Sequence, residues 1–284
     1  MITYLGTGLL GANFVKAMLK RGEHVHVWNR TTSKAKALEA FGALAIEQLS
    51  LAAKGASRIH MTLSDDAAVD AVLQEARASF EPGVIIIDHT TTSTEGAAKR
   101  TQYWKEQGFT YLHAPVFMGP PNALDASGYM LVSGDQALIK QIEPHLSAMT
   151  GKLLNFGAET NRAAAIKLLG NSFLLFLTTG WSDVLALAKA MQVPQSDIVS
   201  LFTEWNPGAA APARLKRILA ADFKNPSWEL KMARKDTRLM MEEAAKANQH
   251  LSAIPAIAAE MDKWIAKGYA ENDWTVIAKD NLQN

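Results

Sequence analysis

A chain of 284 residues, 48% hydrophobic and 20% charged, is long enough for two packed cores and has the composition of an ordinary globular protein. Its formal net charge of +1 gives no electrostatic reason to expect nucleic acid or an anionic membrane as partner. The absence of cysteine excludes disulfides, thiolate metal sites and cysteine nucleophiles, and fits a cytoplasmic setting with no metal centre.

Met1 to Leu5 lacks a basic leader and runs directly into glycines, so a core strand is expected at Ile2–Leu5 and a signal peptide is not. A helix over 12–21 ending at Gly22 follows, then a strand over 24–28 and a helix over 33–41 closed by Gly42. Further strands are expected over 58–63, 84–88, 111–112 and 130–133, with a helix over 67–80. Strands alternating with helices predict a parallel sheet covered by helices. From about Asn161 onward the strand signal fades. Residues 160–191 read as one helix of roughly 45 Å at 1.5 Å per residue. It carries Lys167, Asn171, Asp183 and Lys189, which favours a buried helix over a membrane span. Five prolines, at 194, 207, 212, 226 and 255, break the remainder into shorter helices. The expected organisation is α/β: a doubly wound N-terminal domain over 1–160, then an all-α domain over 161–284, joined by the long helix.

Gly6-Thr7-Gly8-Leu9-Leu10-Gly11 reads G-x-G-x-x-G between a strand and a helix, the context in which that pattern binds a dinucleotide. Gly6 would allow the tight turn, Gly8 the approach of backbone to pyrophosphate, and Gly11 close helix–strand packing. Leu9 and Leu10 lie at the helix N-terminus, where free N–H groups face the phosphates. After the second strand the chain reads Asn29-Arg30-Thr31 with no carboxylate. An acid there would favour NAD(H) by holding the ribose and repelling a 2′-phosphate. Arg30, with Asn29 and Thr31, favours NADP(H) instead.

With these residues the chain resembles the β-hydroxyacid dehydrogenases, including 3-hydroxyisobutyrate dehydrogenase and semialdehyde reductases, with imine reductases more distant. Four ordered segments carry the resemblance: the glycine loop with 29–31, Asp88-His89-Thr90-Thr91, the K-x-x-x-N pair Lys167 and Asn171, and Lys235-Asp236. The resemblance implies that Thr91 and Lys235 contact the cofactor, with Leu63 at the end of its strand. It implies that Asp236 lies near substrate and that Lys167 and Asn171 do the chemistry. The segment that in the family presents serine and glycine to a substrate carboxylate reads Pro115-Val116-Phe117-Met118-Gly119 here. Phe117 and Met118 thus make a less polar substrate more plausible.

Residues four apart share a helix face, so Lys167 and Asn171 project together. Their neighbours are small or apolar, and an unpaired ammonium there would cost several kcal/mol, so stability does not explain it. The expected activity is reduction of a small aldehyde or semialdehyde by NADPH, or oxidation of the matching hydroxy acid, with Lys167 as general acid or base. Two alternatives stand beside it: an imine or ketone reductase, and a dinucleotide-binding protein without catalysis. The apolar long helix and small helical half lead to the expectation of a homodimer or homotetramer.

Overall fold

The computed structural model describes residues 1–282 and divides into two compact units, Met1–Ser172 and Phe173–Asn284. In the first unit the chain runs β1 (Ile2–Leu5), α1 (Leu9–Lys20), β2 (Val25–Trp28), α2 (Thr32–Lys36), β3 (Leu44–Ala45) and α3 (Leu49–Ala52). It continues through β4 (Arg58–Met61), α4 (Asp66–Ala76), β5 (Ile85–Asp88), α5 (Thr94–Glu106) and β6 (Thr110–His113). The six strands form one sheet in the order 3-2-1-4-5-6, with every pairing parallel. This is the Rossmann order, and its switch point lies between the C-terminal ends of β1 and β4.

The strands are short apolar runs because helices cover both faces of the sheet. On one face Tyr4, Val25 and Val27 pack with Phe14, Val15 and Met18 of α1. On the other, Leu5, Ile59, Met61 and Ile86 pack with Val69 and Leu73 of α4 and Trp104 of α5. A second sheet follows, built from β7 (Val116–Phe117), β8 (Tyr129–Val132) and β9 (Lys152–Asn155). Its connections carry α6 (Pro120–Leu124) and α7 (Gln136–Ser147), and Met130, Val132, Ile139 and Ile142 extend the α1-side core. The long helix α8 spans Arg162–Ala190.

The second unit is helical: α9 (Gln195–Glu204), α10 (Ala211–Leu219), α11 (Leu230–Lys246) and α12 (Ile254–Ala266), around Phe223, Leu230, Met261, Trp264 and Val276. Asp183 of α8 accepts hydrogen bonds from the backbone N–H groups of Ser252, Ala253 and Ile254 at 2.6, 2.8 and 3.0 Å. It thereby satisfies donors that would otherwise be orphaned at the start of α12. The same bonds hold its carboxyl below the usual carboxylate range despite the opposing effect of burial.

Three features differ from the sequence expectation. The units divide inside α8, not near residue 160, because the first turn of the helix buries Ala163 and Ala164 completely. The helix expected over 33–41 stops at Lys36, and a separate 3₁₀ turn over Glu39–Phe41 leads to Gly42 at φ 99°. The long helix is not buried through its middle. Phe173, Leu174, Leu175 and Phe176 are more than half exposed in the single chain, since a helix apolar around its circumference cannot bury every side in one unit.

Three buried histidines tie the strand ends together. His60 and His89 share a ring hydrogen bond of 3.0 Å, His89 Nδ1 donates to the Ala114 carbonyl at 2.7 Å, and His113 lies 2.8 Å from the Thr90 carbonyl. Burial holds all three below the ordinary histidine range, His89 at about 4. A histidine depressed in the fold binds its proton more readily when unfolded, so stability is retained above pH 6.5 and lost as pH falls towards 4. The free energy of urea unfolding should therefore decline over that interval. Replacement His89→Gln should reduce the slope by up to about 1.4 kcal/mol per pH unit, the value for one proton. An unchanged slope in that variant would show that His89 does not contribute to the acid sensitivity.

Candidate active site

The turn after β1 is shaped by what its glycines lack. Gly6 sits at φ +92°, and a Cβ there would overlap the Thr62 carbonyl oxygen. A Cβ on Gly11 would collide with the carbonyl of Gly6, so α1 can approach β1 this closely only without a side chain. At Gly8 a Cβ would meet nothing within 4 Å, leaving bare backbone facing open space. Helix α1 starts from Gly8 with no side-chain cap and no acid in its first turn, leaving its first N–H groups available to an anion. The buried Thr7 hydroxyl also lacks a partner among the described residues.

This turn opens onto a cavity of about 590 Å³ at the switch point. Gly6, Gly8, Leu9, Leu10 and Gly11 line one side, and Asn29, Arg30 and Thr31 another. Leu63 closes it from the end of β4. Bare backbone, free helix N–H groups and an orphaned hydroxyl fit the pyrophosphate of a dinucleotide. Arg30 stands exposed at the rim with Lys34, a second cation on α2 that sequence reasoning missed. Its signal was its position, one helical turn after Thr31. Asn29 also has a structural role. Its side chain accepts from Thr7 N at 2.9 Å and donates to the Thr31 carbonyl at 3.1 Å, fastening β2 to the glycine turn. The β4 and β5 ends are joined similarly, because Leu63 N donates to Thr90 Oγ1 and Thr90 N donates to Asp88 Oδ1. Thr91 is exposed in the loop after β5 and does not line this cavity.

Lys167 lies in the first turns of α8, fixed to the second sheet where Ala163 N donates to Ser133 Oγ at 2.9 Å. The lysine is 9% exposed. Its Nζ donates to Asn171 Oδ1 at 2.9 Å, the expected one-turn pairing, and lies 4.3 Å from the centre of the Phe117 ring. Asn171 is Nζ's only hydrogen-bond partner among the described residues, and no carboxylate lies within ion-pair distance. Burial accordingly lowers the Lys167 ammonium below the ordinary lysine range. A buried ammonium with unused N–H donors can stabilise a developing negative oxygen and give it a proton.

Phe117 is partly buried on β7, while Met118 packs partly into the α1-side core. Lys235 and Asp236 lie on α11 in the second unit, bonded to each other at 2.8 Å. His89 and His113 are buried; both ring nitrogens of His89 are hydrogen-bonded, while His113 is bonded through Nε2 and its buried Nδ1 has no partner among the described residues. Another cavity of about 590 Å³ lies between α4 and α5, but its central cation, Arg100, is already paired with Asp66 and Asp70. Among the described residues no cluster of His, Asp or Glu could hold a metal ion.

Residues 1–157 match the family model described as the NAD binding domain of 6-phosphogluconate dehydrogenase. The chain is 26% identical over 280 residues to glyoxylate/succinic semialdehyde reductase 2, chloroplastic, of Arabidopsis thaliana, covering 96% of this chain and 76% of that one. It is 24% identical over 289 residues to the NAD-dependent L-serine dehydrogenase of Pseudomonas aeruginosa, covering 98% and 96%. Among solved structures, an imine reductase from Myxococcus stipitatus in complex with NADP+ superposes with a TM-score of 0.91 at 20% identity, over 98% of this chain and 99% of that one. That last likeness is one of fold. The glycine cradle at the switch point and the match over more than half the chain agree: the protein belongs to the family of the 6-phosphogluconate dehydrogenase NAD-binding domain, among the β-hydroxyacid dehydrogenases, and is a nicotinamide dinucleotide-binding oxidoreductase.

Proposed function

We propose that the protein is an NADPH-dependent reductase of a small carbonyl compound and that Lys167 is its acid. The observation that carries this reading is the buried ammonium of Lys167, held by one amide oxygen and one aromatic face with no counter-ion. Such a group costs stability, so a dinucleotide-binding protein without catalysis would have no use for it. When bound, the reduced nicotinamide supplies a hydride to the carbonyl carbon. Lys167 Nζ first stabilises the growing charge on oxygen, then transfers its proton, giving the alcohol; the neutral amine is reprotonated from water. Asn171 holds Nζ in place through its side-chain oxygen. The semialdehyde reductase among the relatives supports an aldehyde substrate. Phe117 beside Lys167 favours a second reading, in which the substrate is a less polar ketone or imine.

Gly8, Arg30, Thr31, Leu63, Thr91 and Lys235 act on the cofactor in this proposal, and Asp236 acts near substrate. The cationic rim of Arg30 and Lys34, with no carboxylate at 29–31, supports a preference for NADP(H). NADPH should therefore bind more tightly than NADH in fluorescence titrations. Arg30→Ala should remove roughly 1.5–3 kcal/mol of that difference, the worth of a charge-assisted contact. Equal dissociation constants for the two cofactors in the unmutated protein would refute the preference.

Lys167→Ala should leave NADPH affinity nearly unchanged while kcat for aldehyde reduction falls by about 10²–10⁴, the contribution of a positioned acid. Loss of NADPH binding with little change in kcat would reverse the assignment.

Helix α8 is, among the described residues, the one helix long and apolar enough to cross a membrane by length and composition. Asp183, bonded to three backbone N–H groups within the helical unit, instead fixes its second half to a folded partner. We therefore assign its exposed Phe173, Leu175 and Phe176 to a second copy of this chain. Light scattering should give at least twice the chain mass of 30.9 kDa; a stable monomer at micromolar concentration would contradict this assembly.

A further inference from the structure

Gly170 lies between Lys167 and Asn171, and the space its missing side chain leaves is filled by Phe117. A Cβ on Gly170 would overlap Phe117 Cζ and lie 2.6 Å from Cε1, so no larger residue fits there while the ring keeps its place. The ring reaches this seat because Phe117 pairs with Tyr129 across β7 and β8. Just after β8, Ser133 Oγ fixes the start of α8. One small sheet thus positions both the ring and the lysine, and the ring centre comes to 4.3 Å from Nζ.

We infer that Phe117, seated by Gly170, is a specificity-determining residue: it makes the wall beside Lys167 aromatic, favouring substrates with an uncharged apolar substituent over those with a carboxylate. This rests on the reading of Lys167 as the acid. The side of the ammonium covered by Phe117 presents only carbon. An apolar substituent can pack on that ring, whereas a carboxylate against it would lose hydration without gaining a donor. The donors beside the ring are the unused N–H groups of Lys167 and the amide NH2 of Asn171, whose oxygen Lys167 already engages. A carboxylate paired with them would occupy the donors that the carbonyl oxygen needs. Carboxylate-bearing aldehydes should therefore bind in an unproductive mode, and simple carboxylates should compete with substrate. Gly170 is a positioning residue in this scheme, acting only through the ring.

Butanal and 4-oxobutanoate form a matched pair, because a methyl group in one replaces the carboxylate of the other. Wild type should show kcat/KM for butanal about tenfold or more above that for 4-oxobutanoate, a ratio within reach of apolar discrimination. Butyrate should inhibit butanal reduction competitively. Phe117→Ser should close most of the gap, while Phe117→Leu, which keeps an apolar wall, should retain it. Gly170→Ala should displace the ring and raise KM for butanal more than it lowers kcat. On a Phe117→Ala background it should have no further effect, since there is no ring left to displace. NADPH affinity, measured on every variant, identifies any that has failed to fold. A wild-type enzyme that reduces 4-oxobutanoate as well as butanal would overturn this inference and leave the carbonyl reductase reading standing. Equal costs of Gly170→Ala with and without the Phe117 ring would overturn the role of Gly170. Failure to reduce either aldehyde, or any other carbonyl compound, would overturn the reductase reading and the inference with it.

Discussion

A positive charge buried without a negative partner is expensive, and much of the second half of the first unit can be understood from how Lys167 is kept in that condition. Removing an ammonium from water costs several kcal/mol unless it is well paired. Here one amide oxygen and the face of one ring replace the water. The helix that carries it begins with small residues, Ala163 and Ala164, which let its first turn sink against the unit. A serine at the end of β8 fixes that turn, and β7 of the same sheet supplies the ring. The arrangement engages the lysine through one amide oxygen and one ring face and leaves its other N–H donors unused.

The dinucleotide end of the unit obeys a different constraint, one of distance. Gly6 and Gly11 let backbone approach backbone more closely than any side chain would allow. The result is a helix whose N-terminus opens on the switch point of the sheet, with a row of donors and no acid. Asn29 then stitches the end of β2 to this turn, and Thr90 joins the end of β5 to that of β4. Polar residues that look like ligands in the sequence are in part fasteners that hold the ligand-facing backbone in shape.

The parallel sheet was legible because strands buried on both faces are continuous apolar runs, as in Ile85-Ile86-Ile87. Helix α5 gave no such signal. Its buried residues are Ala97, Arg100 and Trp104, a narrow stripe containing an arginine that is neutralised only in the fold by Asp66 and Asp70. Helix α7 was hidden by Pro144 near its end, and β9 by its weak hydrophobicity. At the site, Gly6, Gly8 and Gly11 could be placed from their spacing across one turn, and Lys167 with Asn171 from their spacing on one helix. The pairing of Phe117 with Gly170 could not, because 53 residues separate them and only the second sheet brings them together. The exposure of α8 was equally hidden: its apolar sequence reads as buried, yet Phe173, Leu174, Leu175 and Phe176 stand more than half exposed in the single chain.

The central claim, that the Lys167 ammonium delivers the proton during reduction, is tested most directly by kcat against pH at saturating NADPH and aldehyde. Burial lowers the lysine from its ordinary value of 10.5, so the acid form prevails at low pH and is lost as pH rises through the lowered value. The wild-type rate should be level on the acid side and then fall about tenfold per pH unit, with its midpoint below 10.5. The Lys167→Met enzyme should be slow at every pH and should lack that ionisation. A methionine variant that keeps both the wild-type rate and the wild-type pH profile would contradict the account.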